Sequence, residues 1–176
     1  APTAVRERAK PSQKGAMLVG HPYAVLGVGE YVRAAAKAFA VADIPFQIRN
    51  TFDWGEHLAE KHRSFEFRDK ITRESAFDVN IFHINADEMA NAYRHLGDTF
   101  FVGKYNIGCW HWELSRFPDA WLPAFDLVEE VWASSRFIQQ AVAEKARCPV
   151  IWMPHPINIQ PRWPPSRAPS RPQSPR

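Results

Sequence analysis

Ala16-Met-Leu-Val-Gly20-His-Pro-Tyr-Ala-Val-Leu-Gly27-Val-Gly29-Glu30, running on to Ala42, is the segment around which the chain is organised. Ala16 to Val19 is a short apolar run and reads as a buried strand, stopped by Gly20, His21 and Pro22. From Glu30 the pattern changes. Val32, Ala35, Ala36 and Phe39 recur at three- and four-residue steps, the spacing of one helix face. Gly27 and Gly29 fall just before that helix, so the order is strand, glycine-bearing loop, helix. At such a junction free backbone N–H groups and the positive helix end face one crevice. Glycine there either serves the tight turn or lets a ligand approach the backbone.

The chain has 176 residues, enough for one domain with a core. Hydrophobic residues make up 45% and aromatics 13%, so most of it is expected to fold. The formal charge of +3 is misleading. Residues 161–176 contain four arginines and no acid, and the rest carries 18 basic against 19 acidic residues. That balance argues against electrostatic binding of nucleic acid. Cys109 and Cys148 supply neither a disulfide framework nor metal-ligand spacing, which fits a reducing, cytoplasmic compartment. No apolar run is long enough for a transmembrane helix, although peripheral membrane contact stays open. Residues 1–15 lack the apolar core of a signal peptide and read as a disordered lead-in.

The rhythm of strand and helix continues along the chain. Strands are expected at Pro45–Arg49, Asp78–Ile84, Lys104–Cys109, Leu127–Trp132 and Cys148–Met153. Asn85 is placed to cap a helix that Gly97 ends, Asp119 opens a short helix, and Ser134 or Ser135 caps another over Arg136–Ala146. Residues 53–77 interrupt with mixed charge and scattered aromatics; a solvated, partly ordered excursion is expected, with a helix near Glu56–Arg63. The strands are apolar runs rather than alternating patterns, so both sheet faces are expected to be covered. The fold class is therefore α/β, a Rossmann-like doubly wound, mostly parallel sheet over residues 16–159. Residues 160–176, rich in proline and arginine, read as a low-complexity tail whose removal leaves stability unchanged.

Ligands of open parallel sheets bind outside the carboxyl ends of the strands. His21, His83 with Asn85, His111 with Glu113, Ser134 with Ser135, and His155 all follow expected strands. Histidines gathered on one edge suit polarising or protonating a ligand near neutral pH. No close His/Cys pair favours zinc, so no metal and no cofactor is expected. Trp110, Trp112, Trp121 and Trp132 read first as packing and secondly as platforms for a sugar ring.

Taken together, Gly20-His-Pro-Tyr-Ala-Val-Leu-Gly-Val-Gly-Glu-Tyr-Val-Arg33, Asp78-Val-Asn-Ile-Phe-His-Ile-Asn85, Tyr105-Asn-Ile-Gly-Cys-Trp-His-Trp-Glu-Leu114, Asp126-Leu-Val-Glu-Glu-Val-Trp-Ala-Ser-Ser-Arg-Phe137 and Met153-Pro-His-Pro-Ile157 resemble the N-terminal half of a family 4-type glycosyltransferase. The resemblance implies the first of two Rossmann-like domains, the GT-B architecture, in an enzyme that retains anomeric configuration. It implies a nucleotide-sugar donor and an acceptor held by this half. Gly27 and Gly29 match the loop that reaches the donor diphosphate. His111 matches the histidine beside the transferred sugar, with His83 as second candidate, and His21, Asn85 and Glu113 are acceptor-side candidates. The family's Glu-x7-Glu motif belongs to the other domain; Glu66 and Glu74 share its spacing but lie in the charged excursion, a chance match. The absence of a donor domain implies a truncated or frame-shifted product, inactive alone. A non-catalytic nucleotide- or glycan-binding module is the alternative. An NAD(P)-dependent oxidoreductase is disfavoured, since Val32 stands where its third glycine is needed.

Overall fold

The computed structural model describes residues 14–25, 27–51 and 65–157. The expected helix at Glu56–Arg63, nearly all of the lead-in and the 160–176 tail lie outside these residues.

Six parallel strands form one sheet in the order β2-β1-β3-β4-β5-β6. They are β1 (Ala16–Gly20), β2 (Phe46–Asn50), β3 (Val79–His83), β4 (Tyr105–Trp110), β5 (Glu130–Ala133) and β6 (Val150–Trp152). The helices are α1 (Gly27–Val41), α2 (Met89–Leu96), α3 (Asp98–Phe101) and α4 (Arg136–Ala143), with 3-10 turns at Arg68–Lys70, Ala86–Glu88 and Asp119–Leu127. The doubly wound Rossmann-like reading holds, with every strand pairing parallel. The register sets Gly20 beside Asn50 and His83. From β1 the chain steps one way to β2, and from β3 it steps the other way. The switch point therefore lies between β1 and β3, immediately before His21 and at His83.

Alternation along each strand divides the core into two layers. Met17, Val19, Phe82, Trp110 and Val131 pack against α2, the Asp119–Leu127 turn and α4. Leu18, Ile48, Ile81, Ile107 and Cys109 face α1, whose Val32, Ala35 and Ala36 lie against them. Three of the clustered tryptophans belong to the first layer. Trp110 stacks on Phe117, and Trp112 meets Trp121 edge-on. Gly108 makes room for this arrangement, since a Cβ there would stand 2.5 Å from the Trp110 indole. Among the four, Trp132 alone lies in the other layer.

Both faces are covered, as expected, but unevenly. The helices described after β3 pack on the first layer. On the other face α1 and residues 65–71 cover the sheet, leaving Ile151 and Met153 exposed near β6. In the described part of the excursion, residues 65–77, the charged side chains Glu66, Arg68, Asp69, Lys70, Arg73 and Glu74 are exposed, while Phe65 and Phe77 are buried and Ile71 bridges to Ile48. Among the described residues, no helix is long and apolar enough to cross a membrane.

Candidate functional site

The glycine-bearing segment is built differently from its sequence expectation. α1 begins at Gly27, so both glycines lie in its first turn rather than before it. The first N–H groups of a helix have no carbonyl partner within it, so glycine costs little there. The two glycines answer to different demands. A Cβ on Gly29 would stand 2.2 Å from the Ala24 carbonyl oxygen and 2.9 Å from that of His21. Gly29 thus admits the chain's own loop. A Cβ on Gly27 would meet nothing within 4 Å, so that turn faces open space. Arg33 holds the loop by donating to the carbonyls of Pro22 at 3.0 Å and Ala24 at 2.8 Å.

The strand-end polar residues join into a line across the carboxyl edge. Thr51, following β2, places its hydroxyl 3.0 Å from His21 Nδ1. His21 Nε2 donates to Glu88 Oε2 at 2.9 Å. Glu88 Oε1 accepts from the Asn85 backbone N–H at 3.3 Å, one half of a capping box at the start of the 3-10 turn. Asn85 Oδ1 accepts from the His111 backbone N–H at 3.0 Å, tying that turn to the end of β4. His111 Nε2 lies 3.0 Å from His155 Nε2, so one imidazole donates to the other. Tyr31, from the second turn of α1, stacks on both rings with centroids 4.0 and 3.9 Å away.

Each sequence candidate can now be placed. His21, Asn85 and His111 belong to this line. His83 is buried beside it at the end of β3, and its Nε2 has no hydrogen-bond partner among the described residues. Glu113 is not drawn in: β4 ends at Trp110, and Glu113 is exposed on the loop that follows. Ser135 is structural, accepting from the Ile138 N–H as the N-cap of α4. Glu66 and Glu74 are both exposed on the excursion. Sequence reasoning missed Thr51, Glu88 and Tyr31. The Asn85-x-x-Glu88 spacing was a visible capping-box signal, but its second partner, His21, comes from long-range strand order.

Three histidines at this edge, His83, His111 and His155, have their pKa values lowered, which favours the neutral imidazole. Burial, then the neighbouring His111 and His155, lower the His83 pKa to about 3. Burial and then His155 lower that of His111 to about 4. Burial lowers His155 as well. Neutral imidazoles offer one N–H donor and one lone pair each, which suits hydroxyl groups better than anions.

Behind these rings a cavity of about 290 Å³ runs between α1 and the open sheet face. Ala35, Ala38 and Phe39 line it from α1 and Cys109 and Trp132 from the sheet, with Met153 just after β6. Among the described residues, no group of three His, Cys, Asp or Glu side chains could hold a metal ion.

Comparison with models of protein families finds no match, and comparisons with curated proteins and solved structures find none either.

Proposed function

We propose that this chain is the acceptor-side half of a GT-B-type retaining glycosyltransferase, working on a nucleotide-sugar held against its carboxyl edge. The observation that carries the reading is the meeting of His111 and His83 with Tyr31 of α1, one turn beyond the N-terminal end where Gly27 faces open space, beside a switch point. Ligands of open α/β sheets sit there. The free N–H groups around Gly27 are suited to a diphosphate, and neutral His111 to a hydroxyl of the transferred sugar. Retaining transfer calls for polar groups that stabilise charge developing between anomeric carbon and leaving diphosphate, and for fixed orientation. His111 supplies orientation. Asn85 and Glu88 hold it in place through its backbone, and Tyr31 through its ring face.

Imidazole NMR of the chain, titrated with UDP-, GDP- and ADP-sugars and with NAD, tests this reading. A nucleotide-sugar is expected to shift His111 and the Gly27 amide in a saturable way, whereas NAD leaves them unmoved. A response to NAD alone would contradict the reading. The module alternative draws on the His111–His155 hydrogen bond, which occupies the Nε2 atom of both rings. Saturable binding of a nucleotide-sugar without turnover, even beside a donor domain, would favour it.

A further inference from the structure

The cavity has a polar end and an apolar length. α1 runs away from the carboxyl edge, so its lining residues order the cavity from Tyr31 at that edge, through Ala35 and Ala38, to Phe39. The sheet supplies the same order, with His83 and His111 at the edge and Cys109 and Trp132 beyond. Among the described residues, no lysine, arginine, aspartate or glutamate lines it. At the edge, His83 lines the cavity, and its fully buried Nε2 has no hydrogen-bond partner among the described residues. Buried polar atoms are normally paired, and one left unpaired at a cavity wall calls for an explanation. A carboxylate or phosphate brought here would lose its water with no cation to meet it, which is costly. A hydroxyl can instead share a hydrogen bond with a neutral imidazole.

We propose that this cavity binds an uncharged alcohol with an apolar body, its hydroxyl at the His83–His111 end and its body between α1 and Trp132. Calling that alcohol the acceptor rests on the glycosyltransferase reading; its binding does not. The volume falls at the lower end of ordinary small-molecule sites, so the bound part is a short chain or one ring. The apolar walls supply affinity, while the edge histidines select the hydroxyl and set the direction of entry.

Three probes with one carbon skeleton test this on the full chain: geraniol, geranyl phosphate, and the hydrocarbon 2,6-dimethyl-2,6-octadiene. The readouts are the Met153 methyl, the Trp132 indole and the His83 imidazole by NMR. Geraniol is expected to bind saturably and move all three, the hydrocarbon several-fold more weakly without moving His83, and the phosphate at least about tenfold more weakly. Ala38→Trp, which fills the cavity from the half-buried wall of α1, is expected to abolish geraniol binding. Tighter binding of the phosphate, no saturable binding of geraniol, or shifts that track protein concentration alone would each overturn the proposal. The last would show that a second copy occupies the face. Because no nucleotide-sugar is used, failure here leaves the glycosyltransferase reading standing, and failure of that reading leaves this result intact.

Discussion

Two glycines two residues apart do opposite things. Gly29 has the Ala24 carbonyl against the place a side chain would take, and backbone cannot step aside as a flexible side chain can. Gly29→Ala is therefore expected to cost about 1–3 kcal/mol, the range for forcing extra atoms into a packed site. Gly27→Ala meets open space in a helical turn and is expected to be neutral or to stabilise by up to about 1 kcal/mol. Urea unfolding of the two variants beside the parent reads both. If the diphosphate lies over that turn, Gly27→Ala also weakens the nucleotide-sugar response, which Gly27 shows only because it is not needed for folding. Asn85 serves two elements at once, capping the 3-10 turn and accepting the His111 N–H. Asn85→Ala is expected to cost about 1–2 kcal/mol for the cap and the orphaned donor, and to move the His111 imidazole signal. An unchanged His111 signal would show that the turn does not position it. From sequence, Asn85 was legible as a cap, whereas its bond to His111 was not, because a partner 26 residues away is fixed by strand neighbourhood.

At the scale of elements, buried His83 and half-buried His111 and His155 follow β3, β4 and β6, and desolvation lowers the pKa of all three. Their folded pKa values lie below the ordinary value near 6.5, so the unfolded chain binds more protons once pH drops through that value. Stability from these groups is complete above about pH 6.5 and declines as the pH falls toward 4 and then 3, where His111 and His83 titrate in the folded state. Urea unfolding between pH 7.5 and pH 5 is expected to show stability falling with acid, and His83→Gln to flatten that slope. A slope unaltered by His83→Gln would contradict the buried neutral state. The order of the described strands was legible, since apolar runs between glycine, proline and capping residues leave few alternatives, whereas the short α3 was not expected. Boundaries drifted where neighbours decide them. β5 starts at Glu130 rather than Leu127, because Leu127 closes a 3-10 turn. α4 ends at Ala143 although its pattern continues to Ala146.

At the scale of the molecule, the alternation of strands and helices made the doubly wound sheet readable, but not how evenly its faces are covered. Apolar strands imply burial on both sides. They do not tell which crossover goes over which face, and here α1 shares one face with residues 65–71 while the other described helices lie opposite. That asymmetry opens the cavity beside the histidines, so one topological fact creates both the polar edge and its apolar extension. The central claim is that this edge orients a sugar for transfer, with His111 as its most consequential side chain. Transfer by a two-domain protein, in which a nucleotide-sugar-binding domain follows this one, tests it most directly when compared with the same protein carrying His111→Ala. The account predicts an unchanged fold by circular dichroism and a kcat lower by on the order of 10²-fold or more. Full turnover by a well-folded His111→Ala protein would contradict it and leave His83 as the side chain to test.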